Sequence, residues 1–124
     1  MSAPPGHRNG WRIIVTDDNF AKLSSLTQTL RDAGHCVFAA YDGLSALELV
    51  ALLPDIDILI TNTRLGIVDG AELMRRTRQL RPDMPILHVA HDPAQSGITP
   101  PGVPTINEPF TPNQLLLVIG SLLA

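Results

Sequence analysis

The chain has 124 residues, of which 44% are hydrophobic and 17% charged, with a formal net charge of -3. That is one domain's length, too short for two ordinary domains and too apolar for a disordered chain. No basic stripe is present to neutralise phosphates, which excludes a nucleic-acid binder, and no run reaches the length of a membrane span.

Residues 1–10 hold Pro4, Pro5, Gly6 and Gly10 and lack the apolar core of a signal peptide. They read as a disordered leader to a domain covering 11–124, and the protein as cytoplasmic. Trp11 to Thr16 is a β-branched run suited to a buried strand, closed by the turn and cap formers Asp17, Asp18 and Asn19. Phe20, Leu23, Leu26 and Leu30 recur at helical spacing, and Gly34 follows as a C-terminal cap. Cys36 to Ala40 is a second strand, with the lone Cys36 expected to be a buried small hydrophobe. Asp42 caps a second helix whose inward face is read as Leu44, Leu47 and Val50.

Ile56 to Thr61 is the third strand, and the loop from Asn62 to Gly70 follows. A third helix spans Ala71 to Arg81 with Leu73, Met74, Thr77 and Leu80 inward, while Arg75, Arg76, Arg78 and Arg81 read as a solvated face. Ile86 to Ala90 is the fourth strand. From His91 to Pro104 four prolines and two glycines break all periodicity, so at most one helical turn, at Ala94 to Ser96, is expected. A fifth strand, Thr105 to Asn107, leads to Thr111-Pro112-Asn113-Gln114, a capping box that opens the last helix. Leu115-Leu116-Leu117 is wider than one core-facing stripe. It provides either a partner or dimer surface, or cover for sheet that a missing fourth helix would leave bare. Strands alternating with helices predict an α/β fold with a parallel sheet covered on both faces, its ligand site at the carboxyl ends of the strands.

The acidic pair Asp17-Asp18, the turn Ala40-Tyr41-Asp42-Gly43, the loop Arg64 to Gly70 and Glu108-Pro109-Phe110 together resemble the receiver domain of bacterial two-component response regulators. The resemblance covers Arg12 to the C-terminus. It implies a flavodoxin-like doubly wound sheet of five parallel strands in the order 2-1-3-4-5, here with the fourth helix short or missing, and a cis Glu108-Pro109 bond. It also implies a phosphoryl-accepting aspartate, a magnesium ion, a hydroxyl and a lysine. At those positions the chain carries Asn62 for the acceptor, Ala90 for the hydroxyl, Glu108 for the lysine and Thr105 for the aromatic switch residue. An amide is neutral and a poor nucleophile, so no aspartyl phosphate forms at Asn62. Only Asp17 and Asp18 keep their family identity.

Two readings of the altered site stand open: a scaffold left after catalysis was lost, or Asn62 and Glu108 kept together for another interaction. The second could gather Asp17, Asp18 and Glu108 into a cation site, with Asn62 and the Arg64 backbone carbonyl as neutral ligands and magnesium weakly bound. Otherwise Glu108 hydrogen-bonds the Asn62 amide or turns to solvent. Without a cation, crowding raises the pKa of at least one carboxyl group. A transition-metal site at His88, His91 and Asp92 lacks ligand spacing. The expected function is therefore a phosphorylation-independent pseudo-receiver, not an enzyme, that needs no cofactor and acts on a histidine kinase, a response regulator or a second copy of itself. A receiver sensing a divalent cation or small ligand is the alternative.

Overall fold

The computed structural model describes residues 10–63, 65–92 and 99–123. The expected leader, except Gly10, and the turn at Ala94 to Ser96 lie outside the described residues. The sheet is built from β1 (Arg12–Thr16), β2 (Cys36–Ala40), β3 (Ile58–Asn62), β4 (Ile86–Ala90) and β5 (Thr105–Asn107). All neighbouring strands pair in parallel, in the order β2-β1-β3-β4-β5. The helices are α1 (Phe20–Asp32), α2 (Gly43–Leu52), α3 (Gly70–Leu80) and α4 (Pro112–Leu123). Between β4 and β5, residues 91, 92 and 99–104 contain no helix.

Alternation along the strands divides the core in two. Ile14, Leu59 and Ile86 face α2 and α3, where they meet Ala46, Val50, Leu73 and Met74. Ile13, Val15, Ile58, Ile60, Leu87 and Val89 face α1 and α4, where they meet Leu23, Leu30, Leu115 and Ile119. β3 and β4 are buried throughout, which explains their unbroken apolar reading.

Side chains fix where the helices begin. Asn19 Oδ1 accepts from Lys22 N at 3.0 Å, Asp42 Oδ1 from Ser45 N at 2.7 Å and Asp69 Oδ1 from Glu72 N at 2.8 Å. At α4 the expected capping box is complete: Gln114 N donates to Thr111 Oγ1 at 3.1 Å, and Thr111 N donates to Gln114 Oε1 at 2.8 Å. α1 ends in a Schellman arrangement, with Gly34 N donating to Arg31 O and His35 N to Leu30 O. Gly34 supplies the left-handed φ of 96° that this ending requires. The Glu108-Pro109 bond is cis.

Several expectations need correction. Cys36 is exposed, because β2 is an edge strand and only some of its residues face the core. Leu44 lies outside the buried stripe of α2, which runs through Gly43, Ala46 and Val50, one residue aside from the expected face. Small Gly43 is needed there, since a Cβ would stand 2.5 Å from Val68 O. Leu80, the last residue of α3, is 52% exposed. β1 starts at Arg12 and β3 at Ile58; just before β3, Asp57 Oδ2 accepts from Arg12 N at 2.8 Å.

Candidate functional site

The strand order reverses between β1 and β3, so their carboxyl ends open a crevice, and the altered positions meet around it. Asp17 follows β1, Asn62 ends β3, Ala90 ends β4, and Glu108 follows β5. Asp17 and Asn62 are both buried. Asp17 Oδ1 accepts from Asn19 N at 2.9 Å, and its Oδ2 accepts from Asn62 Nδ2 at 3.1 Å. Asn62 Oδ1 in turn accepts from Thr63 N at 2.5 Å. Both ends of the amide are thus engaged, and its orientation follows from the two contacts.

Glu108 does not hydrogen-bond the Asn62 amide. Its backbone N–H donates to Ala90 O at 2.8 Å, while Oε2 pairs with Lys22 Nζ at 2.9 Å. Its other oxygen, Oε1, is buried without a hydrogen-bond partner. Lys22 is the functional residue that sequence reasoning missed. It occupies the first turn of α1, where a cation opposes the helix dipole, and that local anomaly was the available signal. The ion pair is half-exposed and contributes modestly to stability. What it changes is charge: the cleft holds a cation, already committed to Glu108.

The pKa of the Asp17 carboxyl is raised, first by burial, while the hydrogen bonds from Asn19 and Asn62 oppose the shift. Repulsion from Asp18, the cause expected from the sequence, is the least of the contributions. Asp18 itself is exposed.

The Asn62 and Glu108 side chains, as placed, are turned to other partners than a magnesium ion beside Asp17. Such an ion takes an octahedron of oxygen ligands, yet the Asn62 N–H group points at Asp17, and Glu108 is turned to Lys22. Among the described residues no three His, Cys, Asp or Glu side chains converge as metal ligands. The acidic set Asp17, Asp18 and Glu108 is therefore not assembled, and Arg64, whose carbonyl was to complete it, lies outside the described residues. Nor do His88, His91 and Asp92 gather. His88 is fully buried, and its ring nitrogens meet Thr63 Oγ1 at 2.6 Å and Thr105 Oγ1 at 3.2 Å.

Burial holds the pKa of both His88 and His35 below the ordinary value of 6.5. The fold favours neutral imidazole, so below that value the unfolded chain binds more protons and stability is lost as pH falls toward the folded values. Asp17 works oppositely at lower pH: its raised carboxyl returns stability as pH falls through its folded value toward 3.8. The thermal midpoint is expected to drop on acidification from about pH 7.5 to about pH 5.5, and less so in His35→Phe. A midpoint that rises over this window would contradict the assignment.

Beside the crevice, between α1 and α4, lies a groove of about 370 Å³ with Leu26, Val89, Phe110 and Leu115 on its walls and Asp17, Lys22 and Glu108 at one end. Elsewhere on the surface, Phe20 and Tyr41 are exposed with their rings stacked 5.6 Å apart, and Ile67 is 99% exposed. On α4, Leu115 is buried and Leu117 is 73% exposed, so the leucine run is divided between core and surface.

Comparison with known proteins gives this geometry a context. The family described as the response regulator receiver domain matches residues 13–119. The response regulator MprA of Mycobacterium leprae is 34% identical over 116 residues, which cover 90% of this chain and 50% of that protein. MprA of Mycobacterium ulcerans is 38% identical over 76 residues, covering 61% and 32%. The chain thus spans about a third to a half of the length of these curated relatives. Among solved structures, a response regulator receiver protein from Sinorhizobium medicae superposes with a TM-score of 0.83 at 30% identity, covering 92% of this chain and 94% of that one. A CheY-like receiver domain protein from Methanospirillum hungatei gives 0.81 at 25% identity, with the same coverage.

Proposed function

The chain belongs to the response regulator receiver family of two-component signalling, and on that premise we propose that it is a pseudo-receiver working without phosphorylation, by protein–protein contact, in the cytoplasm. One observation carries this reading. The side chain in the acceptor position is an amide that donates to Asp17 and accepts from Thr63, so it offers neither a nucleophilic oxygen nor a metal-facing carboxylate. Buried Ala90 has no hydroxyl to give, and Glu108 presents negative charge where a phosphoryl group needs positive charge.

Output then rests on surface. Phe20, Tyr41, Ile67 and Leu117 expose apolar area of the kind that contact surfaces use, and the partner is a histidine kinase, a response regulator or a second copy of this chain. The test is intact-mass spectrometry after incubation with acetyl phosphate and magnesium, alongside capture of two-component proteins with and without the phosphodonor. The expected result is an unchanged mass and a capture pattern indifferent to the donor. A hydrolysable phosphate adduct, or capture that needs the donor, overturns the proposal.

The site reading makes a separate prediction about the cation. Titration with magnesium in the millimolar range is expected to leave the Asp17 and Asp18 amide resonances unmoved in the wild type, and to give saturable shifts in Asn62→Asp. Saturable shifts of equal size in both proteins would show that the amide does not decide the matter.

A further inference from the structure

His88 is fully buried in β4, and nothing in the altered phosphoryl site accounts for it. Its ring is held at both nitrogens: Nε2 lies 2.6 Å from Thr63 Oγ1, and Nδ1 lies 3.2 Å from Thr105 Oγ1. A neutral imidazole donates from one nitrogen and accepts at the other, whereas a threonine hydroxyl can do either. The two contacts are therefore linked. If Nε2 donates to Thr63, Nδ1 accepts from Thr105; if Nε2 accepts, Nδ1 must donate. Two tautomers of the ring would satisfy both contacts, and in each the role of one nitrogen fixes the role of the other.

The two ends belong to different parts of the molecule. Thr63 follows the acceptor-position residue: its N–H holds Asn62 Oδ1, and its carbonyl accepts from Gly70 N at the start of α3. Thr105 opens β5, the outermost strand beside β4, which leads into Glu108 and its pair with Lys22. Register places Thr61 and Thr105 on either side of His88, and His88 N donates to Pro104 O at 3.0 Å. One ring thus spans from the Asn62 end of β3 to the edge of the sheet, through the interior.

We propose that His88 is the conformational coupler of this domain, its two tautomers linking the Asn62–Thr63 end of β3 to β5. The proposal rests on the contacts of His88 with Thr63 and Thr105, and stands or falls separately from phosphorylation independence. It supplies what contact-driven signalling requires, a two-state element that both the crevice and the sheet edge can bias.

The experiment reads the tautomer directly. Full chains labelled with ¹⁵N in the imidazole are compared by long-range ¹H–¹⁵N correlation as wild type, Thr63→Val and Thr105→Val. Thr63→Val removes the hydroxyl at Nε2, so the ring proton is expected on Nδ1, facing Thr105. Thr105→Val is expected to give the opposite tautomer. Thr63→Val should also shift the Thr105 amide, and Thr105→Val the Asn62 and Thr63 amides; both cross-shifts should vanish in a His88→Leu background. The same tautomer in both single variants, or cross-shifts that persist without His88, overturns the proposal. The tautomer measurement leaves His88 in place, so the test remains decisive if His88→Leu fails to fold.

Discussion

Acetyl phosphate with magnesium is expected to label Asn62→Asp at least about a hundredfold more slowly than the triple variant Asn62→Asp, Ala90→Thr, Glu108→Lys. The single change restores a carboxylate to the end of β3 and removes the amide N–H that Asn62 aims at Asp17. It also sets that carboxylate beside buried Asp17, whose pKa burial already raises, with Asp18 and Glu108 near by. A magnesium ion can offset part of the repulsion. The transferred phosphoryl group would still meet Glu108 where a cation is needed, and Ala90 where a hydroxyl is needed. Removing one preorganised donor in other enzymes costs about 2.7–4 kcal/mol of transition-state stabilisation, and here two are missing.

Lys22 does not rescue the single variant, because its ammonium is committed to Glu108 at 2.9 Å. Glu108→Lys therefore does two things: it brings a cation to the end of β5 and removes the anion that occupies Lys22. Time courses of both variants by intact-mass spectrometry decide the matter. Equal rates would mean that Asn62 is the whole lesion and that Glu108 and Ala90 carry no weight.

Much of this molecule is legible in the sequence because the local rules agree with one another. Asn19, Asp42, Asp69 and Thr111 sit where their oxygens can take the free N–H groups of a helix's first turn. β3 and β4 read as continuous apolar runs because both their faces are covered. Sidedness is harder to read. Leu44 and Leu80 keep helical spacing, but Gly43 and Ala46 let α2 turn a small-residue stripe inward, and α3 ends at Leu80. Cys36 is as apolar as its neighbours, yet its strand lies at an edge that spacing alone does not reveal.

At the site, sequence finds the positions but not the partners. Asn62, Ala90, Thr105 and Glu108 are fixed by their distances from recognisable turns, whereas Lys22–Glu108 and Thr63–His88–Thr105 join residues of different elements. The first of these reverses an expectation. Glu108, read from the sequence as a candidate ligand of a bound cation, is paired instead with the Lys22 side chain of α1. His88 looked like a stray metal ligand in a strand because its two hydroxyl partners are 25 and 17 residues away.

Replacing Gly70 with alanine is expected to lower the thermal midpoint by roughly 10 °C, a loss of about 3 kcal/mol for a domain of this size. Gly70 opens α3, and its N–H donates to Thr63 O at 2.9 Å. A Cβ there would stand 2.0 Å from Asn62 O and 3.0 Å from both Asn62 C and Thr63 Cα. These are backbone atoms at the end of a buried strand, so no side chain can swing aside. Either the first turn of α3 lifts from the sheet or the end of β3 moves, and Asn62 moves with it. Helix propensity alone would favour alanine over glycine, so a loss measures the contact. Gly120→Ala is the matched control in the interior of α4. Its Cβ would meet Trp11 at 3.6 Å, an ordinary contact, and the expected gain is about 0.5–1 kcal/mol. The Asn62 side-chain amide resonances should shift in Gly70→Ala and stay in place in Gly120→Ala. If both variants melt above the wild type, α3 is not seated against Asn62 as described, and the geometry that holds the amide on Asp17 needs another cause.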